Sequence, residues 1–400
     1  MNEMQSVLIQ SDIQREWIER LEAQRETFEA FAHKNDQNAS FPHENIQWLI
    51  DQGYTQLTLP KAYGGHGATI EDMVILQTIL GSMDGATALS IGWHMGLVGE
   101  LFEQQRWNPK LLKTLAEDIK KGALINRAVS EAETGSPTRG GRPATFAQRK
   151  GQYYILNGVK TFTSMSPALT HILVAAYIPE KETVGFFLVK SPAEGLTIAN
   201  NWDMIGMRAT ESHDLILENV KVPLEHLVEL KGQSPKLPNG WLLHIPSAYL
   251  GIAQAARDYA FNFARTHQPN SIEVPIGELP VVKQNLGKME TKLLSARHML
   301  WSTAHAYQSE LPTQSISNET SASKIIVMNE GLDVVDLAMR VVGAKSLEMS
   351  RPLQRYYRDM RAGLHNPPME DMAYSQIAQN VLEEVTTQNQ KINGSHDSKI

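Results

Sequence analysis

Five β-rich runs at residues 144–148, 153–162, 172–178, 184–189 and 215–222 lie between two long stretches of helical periodicity. That order constrains the fold more than any other feature, because several short strands with turns between them must close into a small barrel or sandwich to bury their apolar faces. Asn157-Gly158 stands between Tyr154-Ile155-Leu156 and Val159-Lys160-Thr161-Phe162. Both residues accept positive φ, so the pair reads as a hairpin turn. Upstream, Ile13, Trp17, Leu21 and Phe28 recur at helical spacing over residues 11–31, with Ser11 or Asp12 placed to cap the start. Further helical patterns cover 44–52, 70–83, 86–103 and 109–121, broken by Pro60-Lys61-Ala62-Tyr63-Gly64-Gly65. Beyond a Pro/Gly/Lys-rich stretch at 231–240, segments 247–265, 279–308, 320–342 and 369–387 have the length of long helices, and four of these imply a bundle. The expected fold is α+β: an N-terminal all-α domain over residues 1–125, a small middle β-barrel or sandwich over 126–232, and a C-terminal four-helix bundle over 233–400.

A chain of 400 residues with 42% hydrophobic residues and a net charge of -7 buries a large core and carries no basic stripe. Nucleic acid is therefore not its expected partner. With no cysteine, disulfides, thiol catalysis and Cys-ligated metal are excluded. The 13 histidines are scattered and no His-Glu-x-x-His occurs, so no metal site is expected. Residues 1–13 contain no basic segment leading into an apolar one, and no run is long enough to span a membrane, so the expected location is cytoplasmic.

Three stretches carry the functional signal. They are Ala128-Val129-Ser130-Glu131-Ala132-Glu133-Thr134-Gly135-Ser136, Lys160-Thr161-Phe162-Thr163-Ser164, and Gly206-Met207-Arg208-Ala209-Thr210-Glu211-Ser212. Each alone reads as a strand end or turn rich in small hydroxyl residues. Together, in this order, they resemble the middle domain of the acyl-CoA dehydrogenase family. Leu59-Pro60-Lys61-Ala62-Tyr63-Gly64-Gly65-His66-Gly67 resembles that family's P-x-x-Y-G-G-x-G turn, while matching neither the dinucleotide nor the Walker spacing. The resemblance implies FAD as cofactor. Ala128, Val129 and Ser130 would pass along the flavin ring, Phe162 would take the place of the family's Trp against it, and Thr163 and Ser164 would follow, with the Ser164 hydroxyl facing the reactive nitrogen. A flat apolar ring with a polar edge suits such residues. Ser136 would lie near substrate, although Pro137 replaces the family's usual Asp. Arg208 reads either as a structural cation or as a plain surface residue.

In the bundle, Arg265 stands where the family places an Arg on the diphosphate of a neighbouring subunit's cofactor, a role that suits a planar charged fork. Arg340-Val341-Val342-Gly343-Ala344 resembles the family's Gln-x-x-Gly-Gly segment at the adenine end. A cofactor bridging subunits implies an oligomer, and the family expectation is a homotetramer with an electron-transfer flavoprotein as redox partner.

Abstracting an α-proton from a thioester requires a positioned, desolvated carboxylate. The family's Glu, nine residues after the Arg of an Arg-Asp pair, is Pro367 here, and the nearest carboxylates are Glu370 and Asp371. The alternative base on the first bundle helix aligns with Trp241, and the CoA-contacting Arg with Leu242; His244 is the titratable imidazole nearby. Glu370 thus reads as a base reached through a longer loop, as a helix-start residue, or as irrelevant to a flavin enzyme that abstracts no α-proton. Leu364-His365-Asn366-Pro367 resembles the Leu-His-Asp-Pro-like segment of flavin monooxygenases on the same fold. Trp93, His94 and Met95 read as helix core or as an acyl pocket, and residues 388–400 as a frayed polar tail. The leading expectation is α,β-dehydrogenation of an acyl-CoA in fatty acid metabolism with Glu370 as base; a two-component flavin monooxygenase and a non-catalytic assembly protein stand as alternatives.

Overall fold

The computed structural model describes residues 9–135, 141–233, 238–309 and 313–396. Ser11 caps α1 (Asp12–Glu22), its Oγ accepting from the Gln14 amide at 3.1 Å while the Gln14 side chain accepts from the Ser11 amide at 3.2 Å. The single helix expected over 11–31 is in fact two, because the chain breaks before α2 (Arg25–Asn38). The two halves serve different targets: Trp17 packs edge-on to Tyr54 at 5.1 Å, whereas Phe28 packs edge-on to Trp48 at 5.5 Å. Helices α3 (His43–Asp51), α4 (Ile70–Met83), α5 (Gly85–Gln104) and α6 (Pro109–Lys120) follow where periodicity placed them. Both α4 and α5 are apolar nearly all round and lie buried at the centre.

The middle region is an eight-stranded sheet: β1 (Ile125–Ala128), β2 (Phe146–Lys150), β3 (Tyr153–Lys160), β4 (His171–Ile178), β5 (Thr183–Lys190), β6 (Leu196–Ile198), β7 (Leu215–Pro223) and β8 (Leu227–Leu230). The order is β6-β7-β3-β2-β4-β5-β8, with β1 parallel on β4. The β4 edge is shared: residues 171–174 pair with β1, and Tyr177 pairs with Phe146 of β2. The chain leaves the sheet at that fork, immediately after Ala128.

Asn157-Gly158 does not form a hairpin turn. It lies inside β3, at a bulge where the pairing with β7 shifts between Leu156 and Gly158. The Asn157 Oδ1 accepts from the Asn219 amide at 2.9 Å, replacing the lost ladder bond. A Cβ on Gly158 would lie 2.4 Å from Thr145 Oγ1, so the glycine there answers a close approach rather than a turn. The real β2–β3 turn is Gly151-Gln152, joining the paired residues Lys150 and Tyr153.

The C-terminal region holds α7 (His244–Thr266), α8 (Pro280–Gln308), α9 (Thr313–Val342), α10 (Leu353–Ala362) and α11 (Glu370–His396). α10 was not anticipated. Its apolar face is only Leu353, Tyr356 and Met360 among charged residues, too short a pattern to stand out. α11 continues through 388–396, which the polar composition had suggested to be a frayed tail. No helix among the described residues is long and apolar enough to cross a membrane.

Candidate active site

Two strand ends meet at the fork. The Thr161 amide donates to the Ser130 carbonyl at 2.9 Å, and Asn126 Nδ2 donates to the Ser164 carbonyl at 3.1 Å. The structure thus brings 128–130 and 161–164 together although β1 and β3 do not pair. Ala128 is buried, Val129 and Ser130 are half-buried, and Phe162 holds its ring 59% exposed from a backbone with φ 57. Thr163 is fully buried, with a hydroxyl that has no protein partner. Ser136 lies outside the described residues.

The third stretch closes the site from the other side. Ser212 Oγ donates to Ser164 Oγ at 2.9 Å and lies 2.9 Å from Thr210 Oγ1. Trp202 stands edge-on to Phe162, with ring centroids 5.9 Å apart at 86°. Arg208 of this stretch is tied to α2: its Nε donates to the Asp36 carbonyl at 2.8 Å. The hydroxyls of Thr210 and Ser212, spaced two apart in a segment already matched, were the missed signal.

A buried ion pair supports the fork. Lys160 Nζ lies 2.6 Å from Glu131 Oε1, with side chains 0% and 4% exposed. The Glu131 carboxylate also accepts from the Ala144 amide at 2.6 Å and the Thr145 amide at 3.0 Å. Burial opposes its ionisation, yet the bonds from Lys160, Thr134 and Thr145 bring its pKa down to about 2. Below the fork, His94 links Ile125 to Thr55: its Nδ1 accepts from the Ile125 amide at 3.0 Å and its Nε2 lies 2.9 Å from the Thr55 carbonyl. His94 and Met95 are therefore helix core.

The bundle residues fall in a second group. Arg265 is exposed on the last turn of α7, with Nη2 3.4 Å from Asn262 Oδ1. Two residues earlier, the Phe263 ring lies 6.0 Å from both the Lys345 ammonium and the Arg351 guanidinium, which brings this helix end to the turn that Gly343 opens with φ 69. Arg340 is exposed and engaged with Asp336 at 2.6 Å.

Glu370 opens α11, and its Oε1 accepts from Asn329 Nδ2 and Tyr374 Oη, each at 3.0 Å. Burial pushes the nearby Lys324 ammonium down to about 8, an effect that Glu370 opposes. Asn366 Nδ2 reaches Tyr249 Oη of α7 at 3.5 Å, so the 363–366 segment lies on that helix. Trp241 is buried and donates through Nε1 to Glu103 Oε2 at 2.5 Å. Among the described residues no three His, Asp or Glu gather to hold a metal.

The profile of the acyl-CoA dehydrogenase N-terminal domain matches residues 14–113, that of the middle domain 126–220, and that of the C-terminal domain 243–365. The YdbM protein of Bacillus subtilis (strain 168) is 50% identical over 379 residues, covering 94% of this chain and all of that protein. This chain belongs to the acyl-CoA dehydrogenase family. As such it is a flavoprotein oxidoreductase of the type that acts on CH–CH bonds. Butyryl-CoA dehydrogenase from Megasphaera elsdenii superposes with a TM-score of 0.84 at 19% identity, over 94% of this chain and 99% of that one. Methanesulfinate monooxygenase MsuC from Pseudomonas fluorescens does so with 0.80 at 20%, over 94% and 98%. Both likenesses are of fold.

The residues of this acyl-CoA dehydrogenase-family chain fit a flavin. Phe162 offers an exposed aromatic face, half-buried Val129 an apolar neighbour, and half-buried Ser130 and Ser164 small hydroxyls, the latter backed by the buried Ser212. The Thr163 hydroxyl, next in the chain after Phe162, is buried with no hydrogen-bond partner. An apolar ring with a polar rim calls for this donor set.

Proposed function

We propose that the protein is an FAD-dependent acyl-CoA dehydrogenase that removes the α-proton and β-hydride of an acyl thioester. The observation that carries this reading is the meeting of 128–130 with 161–164 beneath an exposed Phe162. A bound flavin supplies the hydride acceptor. The chain's own part is to hold the Phe162 ring and the Ser164 hydroxyl at one face, and to present a carboxylate to the α-carbon. Glu370 is the proposed proton acceptor: it is the first carboxylate after Pro367 and is oriented by Asn329 and Tyr374. Ser136 would contact substrate. Arg265 would hold the diphosphate, and the turn at Arg340 and Gly343 the adenine end, of a neighbouring subunit's FAD, which makes the working enzyme an oligomer, by family resemblance a homotetramer in the cytoplasm that passes electrons to an electron-transfer flavoprotein in fatty acid metabolism. Glu370→Gln tests the base: a loss of acyl-CoA turnover of 100-fold or more, with FAD still bound, is expected from the usual contribution of about 10²–10⁴ for general-base catalysis. Unchanged turnover contradicts the assignment.

A second reading draws on the segment 364–367. Asn366 reaches Tyr249 of α7 while its neighbour His365 is exposed, and α10, which leads into this segment, touches the 205–207 loop. A flavin monooxygenase on this fold would place a His there. Oxygen consumption with supplied reduced flavin, and none of the acyl-CoA turnover, selects that reading.

A further inference from the structure

Met207 is a junction between the bundle and both walls of the proposed flavin site. Its amide donates to the Asp359 carboxylate of α10 at 2.6 Å. Its carbonyl accepts from Trp202 Nε1 at 3.1 Å and from Thr210 Oγ1 at 2.9 Å. From Trp202 the path runs by ring contact to Phe162, and from Thr210 through Ser212 Oγ to Ser164 Oγ. Met207 and Phe162 both hold positive φ, 51 and 57, which is costly for a side-chain-bearing residue and persists only where the surroundings enforce it. A Cβ at Gly206 would stand 2.2 Å from the Arg358 carbonyl, so α10 approaches this loop as closely as backbone allows. Asp359 itself is buried, in a setting that includes Arg355, Arg358 and Asp36.

We infer that Asp359 is a positioning residue for the flavin site, setting the Phe162 ring through Trp202 and the Ser164 hydroxyl through Thr210 and Ser212, all by way of Met207. This rests on the reading that Phe162 and Ser164 face a flavin. A carboxylate in this role needs only to accept a hydrogen bond. Asn is thus an adequate substitute and Ala is not.

The test is FAD binding to apoprotein, followed by visible absorbance and flavin fluorescence, with melting temperature measured alongside. Asp359→Ala is expected to raise the FAD dissociation constant at least tenfold and to alter the bound-flavin spectrum. Asp359→Asn is expected to stay within threefold of the parent on both counts. Thr210→Val, which removes only the hydroxyl link, is expected to change the spectrum with at least a threefold loss of affinity. A lower melting temperature in Asp359→Ala with unchanged FAD affinity and spectrum overturns the inference; should that variant not fold, unchanged affinity and spectrum in Thr210→Val overturn it. A parent protein that binds no flavin refutes the proposed function itself, and that outcome is distinct from one in which the parent binds FAD and the variants match it.

Discussion

The Thr161 amide donates to the Ser130 carbonyl at 2.9 Å, although the strands that lead to these residues never pair. That single bond turns a fork in the sheet into a site. β4 exchanges β1 for β2 along one edge, and the chain after Ala128 would otherwise leave the sheet with its backbone groups unsatisfied.

The Lys160–Glu131 pair beneath the fork should dominate local stability. With both side chains almost fully buried, removing one partner leaves an uncompensated charge at a cost of about 3–5 kcal/mol. Lys160→Met is expected to lower the stability measured by urea unfolding by that amount. A change below 1 kcal/mol would show that the pair is not the support described.

Phe162→Ala should weaken FAD binding by roughly 10- to 100-fold, following from about 1.5–3 kcal/mol for covering an aromatic side chain. Phe162→Trp should retain binding, since it keeps the aromatic face. Titration of apoprotein with FAD reads both, and equal losses in the two variants would remove Phe162 from the ring's wall.

Much of this was legible in the sequence. Helix α6 follows from its apolar spacing, α4 and α5 from the length of their apolar runs, and the three site stretches were marked by their resemblance to the family's middle domain. What escaped was of two kinds. Asn157-Gly158 has the residues of a turn, yet the strand runs on through it because tertiary pairing with β7 absorbs the extra residue in a bulge. Asp359 was marked only as half of the Arg-Asp pair and Trp202 not at all, because their roles come from a bond between residues 152 positions apart and from a ring contact across a loop.

Acid should destabilise the native state through two buried histidines. Burial pushes His94 down to about 4 and His244 to about 3, from a usual 6.5. The unfolded chain therefore takes up protons first, and stability present above pH 6.5 is lost as pH falls toward these values. Asp359 acts in the opposite sense: burial, then Asp36, raises it from 3.8 to about 6, so its contribution is present below pH 3.8 and is lost as pH rises through 6. The unfolding midpoint of His244→Leu should fall less than the parent's between pH 6.5 and 4; an equal fall would contradict the burial argument.

Arg265→Ala should weaken FAD binding about tenfold or more and reduce its salt dependence, because a charged hydrogen bond to phosphate contributes about 1.5–3 kcal/mol. Repeating the FAD titration at two ionic strengths checks this. Equal affinity and equal salt response would move the diphosphate contact away from α7.

The most direct test of the account is the visible spectrum of the purified protein under anaerobic conditions, before and after a panel of acyl-CoAs is added. A yellow protein whose flavin band bleaches with at least one of them is expected, the fastest naming the chain-length class. A yellow protein that no acyl-CoA bleaches, or a colourless one, would contradict it.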